Sequence, residues 1–190
     1  MSISVQITIA GESRWKFETY WSAGISIGVG AGAGGGITLR APSGHLQDFY
    51  HGGVGAGLSV GPKLPKGVKP PAWMKKILIR LKGKSGSLGP TSFPSGGLLY
   101  ITSEFTGSEL AASDIRGLCA FAELGAGLVV GGSATAMLLN LNPLFLPLVM
   151  VTPMASLVFL SSAKAVLLMA GANAGIQANV GITSYLGYLH

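Results

Sequence analysis

The sequence predicts a mainly β fold: a glycine-rich barrel or tightly stacked sheets of long alternating strands, with a short basic amphipathic helix at 73–82 and an apolar hairpin at 143–160. Three observations carry this. Apolar residues recur with a period of 2 over long stretches, which in an extended chain gathers them on one face. Glycine is abundant, at 30 of 190 residues, and falls mostly on the opposite face. Charge is scarce, at 11% of residues where about 25% is usual in soluble domains.

The elements follow in order. Residues 2–9 set Ile3, Val5, Ile7 and Ile9 against Ser2, Ser4, Gln6 and Thr8, a first strand with Gly11 as the turn after it. Trp15 and Phe17 resume the alternation into Trp21 to Leu39, WSAGISIGVGAGAGGGITL, where Trp21, Ala23, Ile25, Ile27, Val29, Ala31 and Ala33 oppose Ser22, Gly24, Ser26, Gly28, Gly30, Gly32 and Gly34. The same stretch spells Gly24, Gly28, Gly32 and Gly36, the small-xxx-small spacing by which membrane helices approach closely. A helix would have to absorb Gly30, Gly34 and Gly35 as well, at roughly 0.8–1 kcal/mol for each interior Gly. The period therefore favours a strand over 15–39, either continuous or broken near 34–36.

A third alternation at 48–61 sets Tyr50, Val54, Ala56, Leu58 and Val60 against His51, Gly53, Gly55, Gly57, Ser59 and Gly61. Pro62 ends it, and Pro65, Pro70 and Pro71 stiffen a basic connection. Met74, Ile77, Leu78 and Leu81 then fall at helical spacing among Lys75, Lys76, Arg80 and Lys82, which predicts the basic helix. Residues 84–97 read as a loop, 98–105 as a strand, and 108–116 as a helical turn with Ser108 as N-cap. Alternation returns at 118–139 and 164–187. Between them, 143–160 carries no charge, but Pro147 and Pro153 interrupt any spanning helix, so a tight apolar hairpin suits it.

The length suits a single domain, 1–190. One cysteine, Cys119, leaves no internal disulfide, and a buried inert thiol is its expected state. The N-terminal residues lack the basic and apolar regions of a secretory leader, so export would need another route. The net charge of +6 favours an anionic partner, and a phospholipid surface fits better than nucleic acid because no nucleic-acid motif accompanies the bases.

Enzyme chemistry is not expected. Gly24-Ile-Ser26-Ile-Gly28 and Gly57-Leu-Ser59-Val-Gly61 match the hydrolase elbow, yet both serines lie inside uninterrupted alternation rather than at a strand-to-helix turn. Gly30, Gly32 and Gly35 match a dinucleotide fingerprint without its βαβ surroundings. His45, Asp48 and His51 cluster in sequence, and a solvated turn explains them more simply than a metal site. No catalytic, cofactor-binding or metal residues are assigned. Glu123, alone in an apolar run, is either a solvent-facing strand residue or a charge lining a polar pathway and favouring cations. Asn173, Gln177 and Asn179 stand in the last run as further candidate pore-lining groups.

Glycine spacing at 24, 28, 32 and 36, at 53, 57 and 61, at 127 and 131, and at 171 and 175 resembles the glycine-zipper segments of small pore-forming antibacterial effectors of type VI secretion. That resemblance implies no catalytic residues. It implies a protein carried by the secretion tube protein, soluble before delivery, that inserts into a target cell's inner membrane, dissipates ion gradients and is neutralised by a cognate immunity protein. The glycines 24, 28, 32, 36, 53, 57, 61, 127, 131, 171 and 175 would then pack segments together around a pore. Leu144, Phe145, Leu148, Val149, Leu157 and Phe159, with Lys75, Lys76 and Arg80, would contact membrane, and a homo-oligomer there is compatible with this reading. The alternative is a structural or assembly protein whose apolar β faces are core and interface.

Overall fold

A computed structural model describes residues 6–27, 30–60, 95–126, 130–149, 152, 155–174 and 180–190. Its strands are β1 (Ile9–Glu12), β2 (Lys16–Ile27), β3 (Gly30–Arg40), β4 (Leu46–Val60), β5 (Ser95–Thr102), β6 (Gly117–Ala126), β7 (Val130–Leu139), β8 (Ala165–Ala174) and β9 (Val180–Leu189). They form one antiparallel sheet in the order β1-β5-β8-β7-β6-β9-β4-β3-β2, curled into a half-barrel. The mainly β fold follows the alternation, because residues two apart share a face and one face can be buried.

The long runs resolve into hairpins. Residues 15–39 fold back with Ile27 opposite Gly30, 118–139 with Ala126 opposite Gly132, and 164–187 into β8 and β9. The first break lies between Ile27 and Gly30, not at 34–36, where Gly34, Gly35 and Gly36 are paired on both sides. Alternation cannot separate a long strand from a hairpin, since both arms carry the same period. Residues 2–5 of the expected first strand lie outside the described residues; among those described, β1 begins at Ile9, and Gly11 lies inside it at a register irregularity rather than at a turn after it. The strand expected at 98–105 runs from Ser95 to Thr102.

The concave face holds the main core. Ile37, Leu39, Phe49, Leu99, Cys119, Phe121, Met137, Leu139, Leu167 and Leu189 are buried there together. Each fully buried large apolar side chain contributes roughly 1.5–3 kcal/mol, so this cluster accounts for the curl. Trp15 anchors one end, its ring edge-on to Phe49 at 6.0 Å and its Nε1 donating to the Leu110 carbonyl at 2.8 Å. Leu110 and Ile115 belong to the 103–116 connection, which contains a single-turn helix, α1 (Ala112–Ile115). Its start lies at Ala111, whose amide donates to the Asp114 carboxylate at 3.0 Å, so Ser108 is not the cap.

The apolar hairpin at 143–160 is built, where it is described, from short helices. A 3₁₀ turn (Pro143–Phe145) leads into α2 (Leu146–Val149), and α3 (Ala155–Ser161) returns. The Asn142 side chain accepts from the Leu144 amide at 3.0 Å and Pro143 takes the first position, where its missing N–H costs nothing. The helices sit on the convex face through Phe159, Leu160, Phe145, Leu146 and Val149, which pack with Leu118, Ala120, Leu138 and Leu186. No described helix is long and apolar enough to cross a membrane, which says nothing of strands. The basic helix expected at 73–82 lies outside the described residues.

Candidate functional site

The sheet has two chemically different ends. The end built by the 103–116 connection and the 40–46 turn carries the ion pairs Arg14–Glu109, Arg40–Glu18 and Lys164–Asp114, at 3.1, 2.7 and 3.3 Å. Glu109 is held below the usual carboxylate range: burial pushes it up, but bonds from the Ser13 hydroxyl, the Arg14 amide and side chain, and the Leu110 amide outweigh that. Toward the other end the strands lose their charges. Gly52–Val60 of β4, Val180–Gly187 of β9, Cys119–Ala126 of β6, Val130–Leu138 of β7 and Val166–Ala174 of β8 contain one ionisable carboxylate, Glu123.

Register resolves this end into rows. One row runs through Leu58, Ile182, Leu124, Ala134 and Ala170. It is flanked on one side by the row of Gly57, Thr183, Glu123, Thr135 and Met169 and on the other by the row of Ser59, Gly181, Gly125, Ser133 and Gly171. Thr135 and Met169 stand in the register of the concave core, and Ala134 and Ala170, one position along, are buried as well. Val54, on the convex face, is 75% exposed. Alternation of apolar with small or polar positions is the pattern of strands that cross membranes. Asn173, paired with Gly131, shares the concave register; Gln177 and Asn179 lie outside the described residues.

Aromatic rings fill the concavity between the two ends. Tyr20 stacks on His51 at 5.8 Å, His51 meets Phe121 edge-on at 5.0 Å, and Phe121 stacks on Tyr185 at 4.7 Å. His51 is 4% exposed and neither ring nitrogen has a hydrogen-bond partner among the described residues. Burial lowers its pKa to about 4, which keeps the ring neutral. Cys119 is buried on the same strand as Phe121, and burial pushes its thiol up to about 12, so it is inert.

His45, Asp48 and His51 therefore do not form one site. His45 bonds Ser43 at 3.3 Å on the 40–46 turn, and Asp48 accepts from Thr38 at 2.6 Å on the surface. No metal-binding cluster occurs among the described residues. The signal for His51 was its step of two from Phe49, which puts both on one face of β4. Ser26 and Ser59 lie within β2 and β4, away from any strand-to-helix turn.

The glycine run at 24, 28, 32 and 36 is divided by the first hairpin. Gly24 pairs with Ala33, which packs on the concave core, while Gly32 pairs with convex Val54 and Gly36 with Tyr50. Gly53 and Gly57 share the concave face, Gly131 and Gly171 stand in its rows, and Gly28, Gly61, Gly127 and Gly175 lie outside the described residues. Gly53, its partner Gly187 and Gly55 mark a close approach of the β4 and β9 backbones. A Cβ on Gly53 would meet the Leu186 carbonyl at 2.8 Å, and one on Gly187 would strike the Gly52 carbonyl.

Of the proposed membrane contacts, Leu144 is 78% exposed and Leu148 is exposed, with Val158 beside them, a residue the sequence reading passed over. Phe145 and Val149 pack toward the sheet, Leu157 is half-buried, and Phe159 is buried beneath the helices. Lys75, Lys76 and Arg80 lie outside the described residues.

No family model matches the chain. It is similar to toxin protein Tse4 of Pseudomonas aeruginosa, with 36% identity over 190 residues covering 94% of each chain. No solved structure matches.

Proposed function

The chain belongs to the family of toxin protein Tse4, and from that premise we propose that it is an antibacterial toxin that forms a pore in a target cell's inner membrane and dissipates ion gradients. One observation supports the pore: the charge-poor end of the sheet, where rows of Leu, Ile and Ala alternate in register with rows of Gly, Ser, Thr and Glu123. In lipid every backbone group must be bonded within the protein, which a closed β-barrel achieves. Eight residues of strand extend about 27 Å at about 3.4 Å each, close to the hydrocarbon thickness of about 30 Å. Glu123 is the charge such a pathway would present to cations.

The action proposed is physical rather than enzymatic. Delivery by type VI secretion, carriage by a tube protein and neutralisation by an immunity protein are the partners this reading brings. The test is release of potassium and of a small dye from liposomes of phosphatidylethanolamine and phosphatidylglycerol, with and without an imposed potential. Purified protein should release both; intact vesicles under every condition would defeat the pore and leave the structural reading.

A further inference from the structure

The edge strand β2 approaches β5 across a seam where no β2–β5 ladder is formed among the described residues. From β2, directions alternate through β3, β4, β9, β6, β7 and β8 to β5, eight positions in all, so β5 runs antiparallel to β2, the sense a closing ladder would need. The closure is begun at the charged end. There β1, which leads directly into β2, pairs with Tyr100–Thr102 of β5, and the Ser13 amide donates to the Leu99 carbonyl at 2.9 Å. Farther along, Phe17 occupies the space over Gly97: a Cβ there would lie 2.7 Å from its ring and 3.1 Å from its own Cβ.

A barrel of eight strands has an interior that side chains just fill, whereas about 16 to 18 strands leave an aqueous channel. Here the interior is filled by Tyr20, His51, Phe121 and Tyr185. Zipping β2 to β5 within one copy would satisfy the backbone in lipid and still leave that plug across the path. We propose that the β2–β5 seam is the surface through which a second copy of this chain joins, β2 of one copy pairing antiparallel with β5 of the next. The sheets then merge into one closed barrel of sixteen strand positions for two copies, or a larger multiple of eight. The contact is head-to-tail and closes as a ring, which leaves no edge exposed to lipid. This inference rests on the pore-forming reading and specifies its assembly.

The double variant Phe17→Cys/Gly97→Cys tests it. Removing the ring makes room at Gly97, and the Cβ separation of 3.1 Å is a few tenths of an ångström short of the roughly 3.5–4.5 Å of a disulfide, a gap closed by a slight parting of the strands. Cys119 is buried and does not compete. In phosphatidylethanolamine and phosphatidylglycerol liposomes, the reduced protein should release dye and be recovered as a multimer; oxidation in solution beforehand should abolish both, and reductant should restore both. Full release by the oxidised protein, recovered as a single copy, overturns the seam while the pore reading survives; unmodified protein that releases nothing defeats the pore reading itself. If the double variant does not fold, the two single variants are mixed on liposomes and oxidised. A Phe17→Cys chain linked to a Gly97→Cys chain is then expected, and release without that link overturns the proposal.

Discussion

The imidazole of His51 stands edge-on to the ring of Phe121, their centroids 5.0 Å apart and their planes at 73°, and no described group offers its nitrogens a hydrogen bond. A histidine held this way is a neutral aromatic filler. The rings it touches are those of Tyr20 from β2 and Phe121 from β6.

Acid should therefore loosen the fold. The folded pKa of about 4 lies below the ordinary value of 6.5, so the unfolded chain binds the proton more readily and stability falls as pH drops from 6.5 through 4. The full shift corresponds to about 3 kcal/mol. Urea midpoints measured from pH 7 to pH 4 should fall for the native chain, and His51→Phe should remove most of that slope; an unchanged slope would show that other groups carry it.

Glu109 acts in the same direction at lower pH. Its depressed carboxyl contributes stability above the usual carboxylate range and loses it as pH falls through the folded value. Because it ties Ser13 and Arg14, just before the Trp15 anchor, to the 103–116 connection, Glu109→Ala should cost about 2–3 kcal/mol at neutral pH. Thermal melts of the variant at pH 7 and pH 3 check this: the deficit should shrink at pH 3.

Glycines at the close approach of β4 and β9 should be irreplaceable where those in open space are not. Gly53→Val drives a side chain into the β9 backbone and should cost about 2–3 kcal/mol or prevent folding. A Cβ on Gly52 or Gly32 meets nothing within 4 Å among the described residues, so Gly52→Ala and Gly32→Ala should change stability by less than about 0.5 kcal/mol. Equal losses at all three positions would mean that backbone freedom, not close approach, selects glycine here.

If the concave rows line the conducting path, Glu123 sets its ion preference. Glu123→Gln should reduce, and Glu123→Lys reverse, a preference for potassium over chloride read from reversal potentials in planar bilayers. An unaltered reversal potential in both variants, with conductance retained, would remove Glu123 from the path.

The exposed residues of the 143–161 helices offer a separable membrane contact. Leu144→Ser with Leu148→Ser removes apolar surface that is largely exposed and outside the core cluster beneath these helices. Melting should stay within about 1 kcal/mol of native stability, while sedimentation with anionic liposomes should weaken. The Phe159→Ser variant, by contrast, should destabilise the fold because Phe159 is buried.

The β class, the sparse charge and the buried thiol were legible in the sequence, because each follows from composition or from a period of 2 that one strand contains. Only the tertiary structure decided which face turns inward. At the charged end the residues between the glycines include Phe49, Cys119 and Phe121, large enough to form a core, so the sheet curls toward that face and leaves Tyr50 and Val54 outside. Hairpin breaks escaped the sequence reading because both arms of a hairpin alternate alike, as at Ile27 and Gly30. The helices at 143–161 escaped it because their partners, Leu118, Leu138 and Leu186, lie on three different strands. The meeting of Phe17 with Gly97 joins residues eighty positions apart, and nothing local to either encodes it; the curvature of the whole sheet brings them together.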